Sequence, residues 1–217
     1  MKEKEKKLNQ SFIPKIEEAK SKIMEDNNIA YVIVNQKNAG VGAATQTGLQ
    51  YVHGEYICWP DCDDWFCKTA ISDRVKFLQE NKEYASVTCN ANIYSENDLR
   101  TPIGKIMSGD DEDSNPDQFQ LMLNGKSIFC PGCHLVRTEC LFEVLNERSI
   151  FPSRYGQNYQ LLLPLYYRYR RGFLDKALYN YVVYSNSLSH SAKSFEELLK
   201  MRKGRYRLKI ETINRLK

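Results

Sequence analysis

The stretch Trp59-Pro60-Asp61-Cys62-Asp63-Asp64 constrains this chain more than any other segment. It follows the apolar run Tyr56-Ile57-Cys58-Trp59, which reads as a buried strand bounded by Gly54 and Pro60. Three carboxylates therefore gather where a strand leaves its sheet, and in open α/β sheets that edge is where ligands sit. Carboxylates this close repel one another, and a bound cation or a cluster of donors is the usual compensation. Oxygen ligands of this kind suit Mg²⁺ or Mn²⁺, held through one or two carboxylates plus the phosphates of a substrate. An Asp-rich turn capping a helix after Asp64 accounts for the same residues equally well.

The 217 residues suffice for one sizeable domain with a genuine core. A hydrophobic content of 42%, with 12% aromatics, argues against a disordered chain. No run approaches the roughly 18 consecutive apolar residues of a membrane span. Met1-Lys2-Glu3-Lys4-Glu5-Lys6-Lys7 lacks the apolar core of a signal peptide, so a cytoplasmic location is expected.

The net charge of +4 is unevenly spread. Residues 192–217 hold nine Lys/Arg and three Glu, which is +6, leaving −2 for residues 1–191. The basic tail is expected to be a solvated helix, because its cations are mixed with Glu and spread around the helix. Contact with an anionic membrane surface, at the inner face of the membrane, or with nucleic acid are the other readings.

Seven cysteines in a chain without an export signal are expected to be reduced. Cys130-Pro131-Gly132-Cys133-His134 has the spacing of c-type haem attachment, of a redox pair or of half a zinc site with Cys58, Cys62 or Cys67. Small buried cysteines are the favoured reading.

Periodicity organises the rest. Helices are expected over Ser11–Glu25, Gly42–Val52, Thr69–Asn81 (Ile71, Val75 and Leu78 inward), Phe119–Leu123, Thr138–Leu145 with a Thr cap, and Tyr155–Arg171. Pro164 should kink the last of these or fall in its first turn. Strands are expected over Ile29–Val34 and Ala85–Tyr94, with two short strands between Phe173 and Tyr184 parted near Lys176. The acidic stretch 100–117 reads as a solvated loop. Alternating strands and helices indicate an α/β layered domain.

The ordered series Asn38-Ala39-Gly40, Gly48-Leu49, Gly54-Glu55-Tyr56-Ile57 and Asp61-Cys62-Asp63-Asp64 resembles the family 2 glycosyltransferases of GT-A fold. Downstream, Gly132 and Arg137, a helix near Tyr159 and Ser187-Leu188-Ser189 fit the same pattern, over residues 10–191 in all. The resemblance implies a GT-A domain over residues 1–191, with residues 192–217 as a basic helical tail. It implies a metal-dependent, inverting hexosyltransferase that moves a sugar from a nucleotide diphosphate sugar to a glycan or lipid-linked acceptor, with no nucleic-acid partner. Asp63 would lead in holding Mg²⁺ or Mn²⁺, with Asp61 on the ribose or diphosphate side. Asn38 and Gly40 match positions lining the nucleotide pocket, and His190 lies where C-terminal loops close over the diphosphate.

Three departures from the pattern stand out. The family's opening strands have no counterpart, so the domain is expected to be truncated at its N-terminus. Thr45 replaces the arginine of Ala-Arg-Asn. Gln157-Asn158 stands where a Glu-Asp pair supplies the general base, although some members carry Gly-Gln-Asn. A carboxamide cannot accept a proton near neutral pH, so Asn158 would orient an acceptor rather than deprotonate it. A degenerate domain that binds a sugar or partner without catalysis is the alternative. Tyr166, Tyr167, Tyr169, Tyr179, Tyr181 and Tyr184 are either core residues or platforms for sugar rings.

Overall fold

The structure, a computed structural model, describes residues 32–127, 130–151, 153, 156–185 and 194–216. The expected helix Ser11–Glu25, residues 29–31 of the expected strand and His190 lie outside the described residues. The chain divides into compact units of residues 1–38 and 39–217. Of the first, residues 32–38 are described; they are exposed and outside any strand, so the expected strand Ile29–Val34 does not reach Val32–Val34.

In the second unit, Gly40 caps α1 (Val41–Leu49), which ends three residues before the expected Val52. The apolar run after it forms only a two-residue strand, β1 (Tyr56–Ile57). β1 is half-buried at one edge of the sheet rather than a buried strand, because its one ladder partner is β5 below. β2 (Trp65–Phe66) follows the acidic segment directly, and α2 (Ala70–Glu80) starts only after Thr69. The aspartates therefore do not cap a helix.

Within α2, Leu78 is buried as expected, but Ile71 is 44% exposed and Arg74 is fully buried in its place. The arginine turns inward because backbone acceptors await it: Nε donates to the Ala70 carbonyl at 2.8 Å and Nη1 to the Gly132 carbonyl at 2.9 Å. The guanidinium also lies 5.0 Å from the centre of the Phe66 ring.

β3 (Tyr84–Ser95) is buried over Ala85–Ala91 and forms the middle of the sheet. β4 (Gly104–Lys105) pairs with its far end. The acidic stretch contains one helical turn, α3 (Asp111–Ser114), where a solvated loop was expected. Asp110 caps it by accepting from the Glu112 and Asp113 amides. α4 (Phe119–Leu123) has the expected bounds.

A 3₁₀ turn (Pro131–Cys133) leads into β5 (His134–Arg137). α5 (Thr138–Val144) begins without a side-chain cap, and the Thr138 hydroxyl is buried instead of capping. α6 (Gln157–Arg168) starts after Gly156, and Pro164 lies well inside it rather than in its first turn.

β6 (Arg170–Val183) is one strand rather than two. Its register against β3 jumps from Cys89↔Leu174 to Asn90↔Ala177, so Asp175 and Lys176 form a bulge at the expected break. α7 (Phe195–Ile213) opens with a capping box between Ser194 and Glu197.

Among the described residues the strand order is β1-β5-β3-β6-β2, with β4 beside β3. β3 and β6 run parallel, and the other pairs are antiparallel. One core cluster joins Leu49, Leu141, Leu161, Leu162, Leu163, Leu165 and Leu208, so α7 packs onto α6 through Leu208. Gly156 makes that seat possible: its φ is +69°, and a Cβ there would come within 2.2 Å of Leu208 Cδ2. A second cluster groups Ala70, Cys89, Met107, Cys130, Cys133, Leu178 and Tyr179 behind the acidic segment.

Candidate functional site

β1 and β2 are the two ends of the strand order, so the seven residues between them carry the chain from one edge of the sheet to the other. β1 runs parallel to β3 and β6, since two antiparallel pairings relate β1 to β3 through β5. Trp59–Asp64 therefore leaves β1 in the carboxyl direction of the parallel strands, where α/β sheets present their ligand sites.

Tyr179, fully buried on β6, organises this corner. Its hydroxyl accepts from the Asp61 amide at 3.2 Å and donates to Asp64 Oδ2 at 2.8 Å. Asp64 Oδ1 accepts from the Val182 amide at 2.9 Å. Both Asp64 oxygens are thus committed to β6, and this carboxylate ties the corner to the sheet. Burial first, and then the Asp64 carboxylate beside it, pushes the Tyr179 phenol strongly up.

The ring of Tyr179 lies against Gly132, where a Cβ would come within 2.1 Å of two ring carbons. Arg74 holds the Gly132 carbonyl, so the 3₁₀ turn is gripped by the arginine and faces the tyrosine ring. Arg137 donates to the Tyr84 and Leu78 carbonyls and braces the sheet away from the corner.

Asp61 and Asp63 are exposed to solvent. Among the described residues, no hydrogen bond reaches either carboxylate. Although solvent reaches Asp61, the surrounding protein removes enough hydration to raise its carboxyl to about 6, with Asp64 and Asp63 adding like-charge repulsion. Burial also raises Asp64, against the lowering bonds from Val182 and Tyr179.

Such a pair fits a divalent cation that takes two carboxylates and completes its shell with water or phosphate oxygens. Among the described residues no group of three His, Cys, Asp or Glu is placed to hold an ion unaided.

Asn158, in the first turn of α6, is 9% exposed, and its Oδ1 accepts from Trp59 Nε1 at 2.8 Å. The structure thus brings Asn158 to the corner's first residue. Gln157 is half-buried beside it at the start of α6. The Trp59 ring stacks on His134 at 6.3 Å between centroids, and the His134 ring shares a hydrogen bond with Thr88 at 3.0 Å. Gly40 accepts the first hydrogen bond of α1, from Ala44, while Asn38 lies in the other compact unit, in an exposed stretch.

The core reading of Tyr179 holds, but its tie to the acidic corner is what sequence reasoning missed. No local pattern pairs a tyrosine with an aspartate 115 positions earlier. As sugar platforms, Tyr179 and Tyr166 are excluded by burial. All seven cysteines are thiols. Hydrogen bonds with Cys130 and Cys89, and after them burial, push the Cys133 thiol well up.

Comparison with known proteins places these features in a family. The glycosyl transferase family 2 model matches residues 14–145. A glycosyltransferase of Rickettsia felis is 38% identical over 66 residues, covering 30% of this chain and 11% of that protein. Glycosyltransferase GlyA of Streptococcus pneumoniae is 26% identical over 185 residues, covering 76% of this chain and 24% of the relative. The chain thus spans under a quarter of the length of either relative.

Among solved structures, S. aureus TarS 1–349 in complex with UDP aligns with a TM-score of 0.56 at 16% identity, over 77% of this chain and 47% of that one. The same protein in complex with UDP-GlcNAc aligns with a TM-score of 0.52 at 15% identity, over 91% and 59%. At such identities the likeness concerns the fold, a GT-A mixed sheet. With the family model covering more than half of its residues, this chain belongs to glycosyl transferase family 2.

Proposed function

We propose that this chain carries the donor-binding part of a glycosyltransferase that moves a sugar from a nucleotide diphosphate sugar to a hydroxyl of a glycan or lipid-linked acceptor. The observation that carries the reading is the division of labour among the three aspartates. Asp64 is spent on Tyr179 and Val182, which leaves Asp61 and Asp63 facing solvent at the strand exit. TarS, which shares the fold, has been solved with UDP and with UDP-GlcNAc, and a UDP-sugar is the donor class we infer.

In this reading Asp63 and Asp61 hold Mg²⁺ or Mn²⁺ together with the diphosphate. When bound, the cation supplies Lewis-acid neutralisation of the departing nucleoside diphosphate. Gly40 and Asn38 line the nucleotide side, and His190 contacts the diphosphate. The acceptor oxygen bonds to the anomeric carbon as the bond to the diphosphate breaks, with inversion; the diphosphate leaves with the electron pair and the acceptor's hydroxyl proton passes to solvent water. Gln157 and Asn158 stand on the acceptor side. The GT-A part covers residues 1–191, with residues 192–217 as a basic helical tail, and the reaction takes place in the cytoplasm.

Calorimetry with UDP-GlcNAc and Mn²⁺ tests the donor site. Heat of binding that requires the metal and disappears in Asp63→Ala supports it. Binding of equal strength without metal, or unchanged by the substitution, rejects it.

One observation favours a second reading, a domain that binds a donor or partner without transfer. The Asn158 oxygen already accepts from Trp59, and a carboxamide takes no proton from an acceptor. Donor binding with no release of UDP, in the presence of glycan acceptors, would select this reading over transfer.

A further inference from the structure

We propose that the outward face of α7 is a docking surface for an anionic lipid bilayer. The helix is packed on one side only. Leu208 and Thr212 are buried against the body of the protein, and Lys209 turns inward, donating to the Leu123 carbonyl and lying over the Tyr159 ring. At about 100° per residue, the opposite side carries Phe195, Leu199, Tyr206, Ile210 and Ile213 in a line. Phe195 is 78% exposed and Tyr206 69% exposed, and Leu199, Ile210 and Ile213 are exposed too. A stripe this apolar, running the length of a 19-residue helix, is costly in water and calls for a cover.

The borders of the stripe indicate what covers it. Arg202 flanks one side, and Lys200, Lys203 and Arg207 flank the other, with Arg205 nearer the packed face. Among the described residues none of these five cations is in an ion pair. The acidic residues of α7 are otherwise placed: Glu197 closes the capping box, Glu211 pairs with Arg215, and Glu196 lies in the first turn. An aromatic and aliphatic line edged by free cations is the pattern of a helix lying in a bilayer interface, with side chains in the acyl boundary and cations among anionic headgroups. A protein partner would need its own apolar ridge, whereas the bilayer meets both demands with one surface. No helix of the described residues is long and apolar enough to cross a membrane, so the contact is peripheral.

Lipid binding by α7 does not depend on the donor site, and the two are tested separately. The probe is co-sedimentation of the whole chain with phosphatidylcholine vesicles, with and without about 30% phosphatidylglycerol. The expected result is binding to the anionic vesicles only, weakened by salt. The double substitution Leu199→Glu and Tyr206→Glu should reduce it about ten-fold or more while leaving the circular dichroism spectrum unchanged, since neither side chain belongs to the core. Equal sedimentation with neutral vesicles, no sedimentation with either, or undiminished binding of the double variant would overturn the proposal. Concentration-dependent self-association abolished by the same substitutions would assign the stripe to a second copy and overturn it equally.

Discussion

The Tyr179 hydroxyl donates to Asp64 Oδ2 at 2.8 Å, across 115 positions of sequence, and the hydroxyl itself accepts from the Asp61 amide. One phenol thus orients the corner's backbone at its first aspartate and its side chain at the last. Tyr179→Phe removes both bonds and leaves Asp64 half-tied to Val182. We expect a loss of about 1–3 kcal/mol in unfolding free energy, read by urea denaturation, with weaker Mn²⁺-dependent binding of UDP.

Gly132 stands behind that phenol. In Gly132→Ala the new Cβ would overlap the Tyr179 ring at 2.1 Å, in a turn whose carbonyl is held by Arg74. Neither neighbour has room to retreat, so the variant should lose about 3 kcal/mol. Thermal unfolding measures this, and Tyr179→Phe in the same background should cost less than in the parent, because the two changes act on one contact.

The raised Asp61 carboxyl makes the corner sensitive to pH. Its folded-state value of about 6 lies above the ordinary carboxylate value of 3.8, so the metal-free folded protein binds more protons than the unfolded chain between those values. Its contribution to stability is therefore full below pH 3.8 and is lost as pH rises through about 6. Asp61→Asn should flatten that segment of the stability profile. Mn²⁺ affinity should fall as pH drops through about 6, with a proton released on binding, seen as calorimetric heats that scale with the ionisation enthalpy of the buffer.

Asn158 and Trp59 provide a separate check. Asn158→Leu leaves the Trp59 indole N–H without its acceptor in a half-buried place, at a cost of about 1–3 kcal/mol. Asn158→Asp keeps an acceptor there and should be milder at neutral pH. Chemical unfolding followed by tryptophan fluorescence distinguishes the two variants.

Much of this was legible in the residue order. The acidic corner, α4 and the core of β3 are legible in local sequence, and the ordered series of motifs carried the family. Errors arose where distant partners override local pattern. Ile71 and Arg74 exchanged faces because buried carbonyls of Ala70 and Gly132 await the guanidinium. A two-residue bulge at Asp175–Lys176 looks locally like a turn, and only pairing with β3 on both sides makes β6 continuous.

The sequence by itself determined that three carboxylates follow an apolar run, because side-chain chemistry and short-range backbone preference are local properties. Tertiary structure alone decided their separate roles. Repulsion among Asp61, Asp63 and Asp64 is written into their spacing, but which of them is tied down depends on where β6 sets a hydroxyl and an amide. That placement turns one aspartate into an anchor and leaves two open to a ligand.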